Sequence, residues 1–160
     1  MKQTAAILGA LALLATAHYA MAEKATGNVE VEADQMEIID TERKTIFSGN
    51  VISTRPSETI KADEMVVTTA DVKQPDGTMK SVTDKVNAKG HVVINTKKQI
   101  ITGSAAIFNV QGNTLEVMGS VRVTQGDTNL RGDKLIVDLD TNHLQMTGGK
   151  ERVKASFVPK

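Results

Sequence analysis

Few side chains beyond residue 22 have the type and spacing that chemistry requires. His91 and His143 are the only histidines there, and no His–Glu spacing typical of a metal site surrounds them. The chain has no Cys, which excludes disulfides and thiolate metal sites. No Ser/His/Asp arrangement, paired carboxylates or phosphate-cradling Gly-rich loop stands out. The sequence therefore predicts no catalytic residue, no metal and no cofactor.

Two groups of cations are candidates for contact with phosphate groups. One is Lys97-Lys98, and the other comprises Lys150, Arg152 and Lys154. The ordinary alternative for such clusters is a solvated face. The sequence leaves this choice open.

The composition limits the classes of protein that remain. The 160 residues carry 19 Lys+Arg and 19 Asp+Glu, and this balance gives no reason to propose nucleic acid as a partner, because its recognition needs a basic face. Hydrophobic residues make up 40% of the chain and aromatic residues 2%, with no Trp. The core must therefore be aliphatic, and the length suits one domain.

The first 22 residues have the features of a signal peptide. Lys2 supplies positive charge, residues 5–17 form an apolar run, and Ala20-Met21-Ala22 is a small-x-small cleavage site. The alternative is an uncleaved anchor, but a spanning helix needs roughly 20 apolar residues and the run has about 13. We expect export, cleavage after Ala22 and a single domain over residues 23–160.

A repeat organises the rest of the chain. Residues 31–36, 60–65, 101–106 and 130–135 share an apolar residue, a small residue two positions later, then Asp or, once, Ser. The polar positions of these segments are Asp34, Asp63, Ser104 and Asp133. A second signature follows each segment, and its glycines are Gly49, Gly90, Gly119 and Gly148. Both series indicate a unit of about 29 residues with one insertion of about 12, which the turn signal at residues 74–78 places between the second aspartate and the second glycine.

Within a unit the apolar residues alternate, which is typical of β-strands. Turn signals at residues 111–113, 125–127 and 141–142 divide each unit into two strands of about 11 to 12 residues, an antiparallel hairpin. The apolar phase slips by one residue at each small-residue–Asp step. A β-bulge or sheet corner produces such a slip, so we assign the repeated Asp a structural role rather than a catalytic or metal one.

These features resemble one family. Residues 31–36, 47–51, 60–63 and 129–135 are similar to the lipopolysaccharide-transport periplasmic LptA (OstA-like) family. The resemblance implies an all-β fold, an open twisted β-jelly roll whose interior carries the acyl chains of lipopolysaccharide. It also implies a periplasmic location and head-to-tail stacking of copies between membrane-anchored and outer-membrane components of the transport system. Ser104 departs from the pattern, and the last unit is incomplete.

An aliphatic interior with few rings suits a lipid carrier. The inward, lipid-contacting set that we predict contains Val29, Val31, Met36, Ile38, Phe47, Val51, Ile60, Met65, Val67, Val92, Ile94, Phe108, Val110, Val117, Val121, Leu135 and Val137. The alternative for each of these residues is a dry core.

The two ends of the repeat array lack polar caps. Residues 28–33 and 153–158 are predicted to be edge strands ready for strand addition. Two other classes of protein are alternatives: a structural or polysaccharide-binding β-repeat module of the envelope, and an outer-membrane barrel. Scarce aromatic residues disfavour both, and no feature favours an enzyme.

Overall fold

Alternating apolar and polar residues form β-strands throughout the part of the chain that the computed structural model describes, residues 29–141 and 143–159. The predicted signal peptide lies outside these residues. The strands there are β1 (Glu30–Glu32), β2 (Gln35–Ile39), β3 (Lys44–Arg55), β4 (Glu58–Lys73), β5 (Met79–Thr96), β6 (Ile100–Asn109), β7 (Thr114–Gln125), β8 (Thr128–Asp138), β9 (His143–Thr147) and β10 (Lys154–Ser156). A 3₁₀ turn, Asp40–Glu42, joins β2 to β3. None of the helical structure in these ranges has the length and apolarity that a bilayer crossing needs.

The strands of the described chain form one antiparallel sheet in the order β1-β3-β4-β5-β6-β7-β8-β10. At one edge β2 continues β1 along β3, and at the other β9 and β10 both pair with β8. Neighbours in the sheet are thus neighbours in sequence, as the predicted hairpin units require. The edge positions predicted for both ends are confirmed by β1 and β10.

A line of β-bulges crosses the sheet from β3 to β8. Between β3 and β4 the register shifts so that Gly49 and Asn50 oppose Asp63 alone, and equivalent shifts occur at Gly90-His91 and Gly119-Ser120. We call the aligned positions the corner line, and they are Asp34, Gly49, Asn50, Asp63, Gly90, His91, Ser104, Gly119, Ser120, Asp133, Gly148 and Gly149. The two repeated signatures of the sequence are therefore the two sides of one recurring bulge.

The backbone explains why glycine leads each pair. Gly90 has φ +76° and His91 has φ +48°, and the left-handed region is accessible to Gly at no steric penalty and to His or Asn at a modest one. The polar side chains face outward and bond across strands: Asn50 Nδ2 donates to Asp34 Oδ2 over 2.9 Å, and His91 Nδ1 lies 2.8 Å from Asp63 Oδ2. The His91 side chain is 91% exposed. These contacts support the structural role predicted for the aspartates.

The sheet folds over along the corner line. The β1 half comprises the segments in register with β1 and β10, and the β2 half comprises those in register with β2 and β9. Val123 of the β1 half and Leu135 of the β2 half belong to one buried hydrophobic cluster. Small residues make room at the fold, as predicted: a Cβ on Gly132 would lie 2.6 Å from Met146 Cγ.

The insertion in the second unit lengthens one hairpin. From Thr69↔Thr83 to Lys73↔Met79, β4 and β5 pair only with each other, and we call residues 69–83 the hairpin arm. Its turn closes with Gly77 N–H donating to Gln74 O over 2.9 Å. An Arg43–Asp71 ion pair of 2.6 Å joins the arm to the sheet.

Candidate functional site

Cross-strand pairing arranges the inner side chains in rows that run from edge to edge. The methionine row consists of Met36, Phe47, Met65, Ala88, Ala106, Val117, Leu135 and Met146, each opposite the next. The isoleucine row, in the β1 half, consists of Val31, Ser53, Ile60, Ile94, Ile101, Val123, Leu130 and Ala155. The two rows lie on either side of the corner line and enclose the interior.

Eight residues of the predicted lipid-contacting set lie fully in the core. They are Val51, Met65, Val92, Ile94, Val117, Val121, Leu135 and Val137, each at most 2% exposed. Six more are partly buried, namely Val31, Phe47, Ile60, Val67, Phe108 and Val110. In the segment from β3 to β8 the two halves therefore pack directly on each other.

The remaining three residues of the set are exposed at the N-terminal edge. Met36 and Ile38 are each 61% exposed, and Val29 is 48% exposed. Met36 nevertheless continues the methionine row beyond Phe47. The inner face is thus closed in the middle of the sheet and accessible at the β1–β2 edge.

Other inner residues were missing from the predicted set. Ile101, Leu115, Val123 and Leu139 are buried. Ile101 stands where Ile60 stands in the repeat, and Leu115 and Val123 continue the alternation of Val117 and Val121. Alignment of the repeats and apolar alternation could have predicted the first three of these residues. Leu139 lies beyond the end of β8, where neither signal applies.

The β1 half of the inner face ends in polar residues. Arg55 and Glu58 pair across the β3–β4 turn, and Glu58 is opposite Thr96. The Gln99 side chain is 2% exposed, and its Nε2 and Oε1 have no hydrogen-bond partner among the described residues. We call Arg55, Glu58, Thr96 and Gln99 the polar rim. It gives the interior one polar boundary.

Burial in this rim raises the pKa of Glu58 above its ordinary value of 4.5, against a smaller lowering by Arg55. The folded state therefore holds the proton more tightly than the unfolded chain. The contribution of Glu58 to stability is fully present below the pKa that this carboxyl has in the unfolded chain. It is lost as the pH rises through the pKa of the folded state. In Glu58→Gln this fall should disappear, and the variant should be more stable than the natural chain at neutral pH.

Urea unfolding at about pH 4 and about pH 8 measures this difference. Glu37→Gln, on the exposed β2 strand, is the matched control and should keep the natural pH dependence. An unchanged pH dependence in Glu58→Gln would show that this carboxyl does not govern it.

A basic cleft of about 430 Å³ lies on the outer face at the C-terminal edge of the sheet, across from the β1–β2 edge. Its cations are Arg122, Arg131, Lys150, Arg152 and Lys154, and its acids include Asp133 and Glu151. The second predicted cation group is thus joined by two arginines from β7 and β8. Lys97 and Lys98 lie elsewhere, exposed in the β5–β6 turn.

The described residues contain no group of three or more His, Cys, Asp or Glu side chains able to hold a metal ion. The chemistry that the arrangement supports is binding: an aliphatic inner face, two sheet edges and a cationic outer cleft.

Comparison with known proteins identifies the family. Residues 30–143 and 100–157 match the family model described as "LptA/(LptD N-terminal domain) LPS transport protein". The chain belongs to this LptA/LptD N-terminal domain family. The overlap of the two matched ranges agrees with a repetitive chain. The predicted family is thereby confirmed.

Two known proteins are similar to this LptA-family chain, one in sequence and one in structure. An uncharacterised protein of Rhizobium meliloti (strain 1021) is 29% identical over 135 residues, covering 82% of this chain and 71% of the relative. The crystal structure of LptH, the LptA-homologous periplasmic component of the lipopolysaccharide transport device of Pseudomonas aeruginosa, superposes with a TM-score of 0.68. Its sequence is 15% identical, and the match covers 84% of this chain and 98% of LptH. The predicted all-β open jelly roll is confirmed.

Proposed function

We propose that this chain is a periplasmic bridge protein that binds lipopolysaccharide by its acyl chains and conducts it between the two membranes. In this proposal the chain is exported by a signal peptide cleaved after Ala22, and its partners are the membrane-anchored and outer-membrane components of the transport system. Copies stack head to tail, so that their inner faces join. No catalytic step is assigned to it.

The continuous inner rows support this proposal most directly. The methionine row extends across the whole width of the sheet, and Met36 and Ile38 at its open end are 61% exposed. Each methylene withdrawn from water contributes roughly 0.8 kcal/mol, so an acyl chain is held by an apolar path and excluded from the aqueous gap. Flexible Met side chains can repack around an irregular alkyl chain.

The burial pattern supports lipid entry at the β1–β2 edge. Val117 and Leu135 are 0% exposed, so an acyl chain reaches them only if the two halves separate. At the β1–β2 edge the inner face is already accessible. Lipid therefore makes its first contacts near Ile38 and moves inward as the halves part.

Photocrosslinking in living cells tests this function. A photoreactive residue at Ile38, Ile94 or Phe108 should form adducts with lipopolysaccharide, with the highest yield at Ile38. Matched controls are Ile100 and Ile136, exposed at 43% and 37%, since each adjoins an inner residue but lies on the outer face. Adducts restricted to the inner positions would support the carrier function. Their absence there, or equal yields at the controls, would favour a structural module of the envelope instead.

A further inference from the structure

The two edges of the sheet are exposed at positions that are buried in every internal repeat unit. Val153 is 43% exposed, whereas its counterparts Val51, Val92 and Val121 are at most 1% exposed. Met36 is 61% exposed, whereas Met65 in the same row is 2% exposed. Both edges thus lack the neighbouring strand that covers these positions elsewhere.

The corner line is also incomplete in a complementary way. Gly90-His91 lies between Asp63 on one side and Ser104 on the other. At the N-terminal edge Asp34 has a glycine pair on one side only, and at the C-terminal edge Gly149 has only Asp133 beside it. One edge therefore ends on the aspartate and the other on the glycine pair that would follow in the repeat.

The charges at the two edges have opposite sign. Arg122, Arg131 and Lys154 are consecutive partners across β7, β8 and β10, and like charges directly opposite each other are destabilising. Within the described chain no carboxylate lies within 4.0 Å of any of the five cleft cations. The same transverse row begins on β1 with Glu32, through Ile52, Lys61, Val93 and Thr102.

An insertion strengthens the basic edge. The three complete units place Val directly after the Gly-X pair, whereas Lys150-Glu151-Arg152 separates Gly149 from Val153. The inserted residues form a turn in which Glu151 N–H donates to Gly148 O over 3.1 Å, and they line the cleft. The cleft thus exists because the last unit departs from the repeat at this point.

We infer that the basic cleft binds the acidic N-terminal edge of a second copy of this chain and that the corner line sets the register of the joint. The inference rests on the stacking in the proposed function and specifies its geometry. The β9–β10 strand of one copy pairs antiparallel with the β1–β2 strand of the next. Continuation of the β7–β8 register then places Glu32 opposite Lys154, Asp34 beside Gly149 and Met36 opposite Met146.

This register satisfies both edges at once. The unpaired N–H and C=O groups of β1 and β10 become a ladder. The Glu32 carboxylate enters the row of three cations, and the methionine row continues from one copy into the next. A slip by one residue would turn Met36 to the outer face, so the apolar and charged rows specify the same alignment.

Charge reversal tests the joint on the exported full chain. Glu32→Lys and Lys154→Glu should each raise the dissociation constant between copies about tenfold, measured by sedimentation. The double variant restores an acid–base pair across every joint and should recover most of the natural association. Lys97→Glu, at an exposed residue of the β5–β6 turn, is the control and should leave association unchanged.

Cysteine pairs test the register itself, because the natural chain has no Cys. Glu32→Cys with Lys154→Cys should give ladders of disulfide-linked copies, since directly opposite residues meet the distance that a disulfide requires. Glu30→Cys with Lys154→Cys, two residues out of register, should give few. Equal ladders from both pairs would overturn the register.

The failures of the two proposals are distinguishable. If the natural chain assembles but both single reversals leave association unchanged, the cleft is not the joint, and stacking uses another surface. If Lys154→Glu impairs binding of lipopolysaccharide vesicles without affecting association, the cleft binds a lipid phosphate, and the inference is wrong. A chain that stays monomeric at high concentration with lipopolysaccharide present would contradict the stacking part of the proposed function.

Discussion

Replacement of Leu135 by Ala is expected to lower the free energy of unfolding by about 3 kcal/mol. Leu135 is 0% exposed and belongs to the cluster that joins the two halves of the sheet. The truncation removes three carbon atoms from a position where neighbours on both halves are held by the corner line and cannot readily collapse into the space. Urea unfolding of the natural and variant chains measures the loss.

Ile136→Ala is the matched control, because Ile136 is the next residue of β8 but lies on the outer face and is 37% exposed. The expected loss is below about 1 kcal/mol. Comparable losses for the two variants would mean that the halves do not pack against each other. The interior would then be open along its whole length.

The second large effect is expected at the corner line, for Gly90→Ala. Gly90 has φ +76°, and an added Cβ would overlap the Asp63 carboxylate on β4. Left-handed backbone disfavours Ala by about 1–2 kcal/mol, and the overlap requires β4 and β5 to move apart. The combined loss of stability should be about 3 kcal/mol or more.

Gly77→Ala separates the two contributions. Gly77 has a similar φ of +86°, but apart from its chain neighbours no residue has a heavy atom within 4 Å of the added Cβ. Only the backbone strain of about 1 kcal/mol therefore remains. Asp63→Ala in the Gly90→Ala background removes the carboxylate and should recover part of the loss. Equal effects of the two glycine variants would show that the Asp–Gly contact does not limit the corner.

Much of this fold follows from the sequence because its contacts are local. Each hairpin unit pairs with the next, so the number of residues between Asp63 and Gly90 predicts which residues of β4 and β5 are opposite each other. The phase slip at Ala62-Asp63 predicts the position of the bulge. The turn at residues 74–78 has the position and the Asp76–Thr78 hydrogen bonds that Pro-Asp-Gly predicts.

Two features of the candidate site depend on contacts between residues that are far apart along the chain, and local sequence patterns do not predict them. Alternation places Met36 and Val117 on the same face. Met36 is nevertheless 61% exposed because it lies at the edge of the sheet, whereas Val117 is 0% exposed because the two halves close over it. Likewise, the sequence alone gives Lys154 no partner, and only the β8–β10 register places Arg131 opposite it. Whether the inner residues contact lipid stays a prediction.

The hairpin arm has a practical consequence for the study of this family member. It extends along the strand direction, and neither β1 nor β10 contributes to it. A fluorophore or epitope grafted at residues 75–77 would therefore project from the flank of the molecule and leave both termini of the array unobstructed. If copies stack as proposed, labels placed there in successive subunits would report the spacing and polarity of the stack under the microscope.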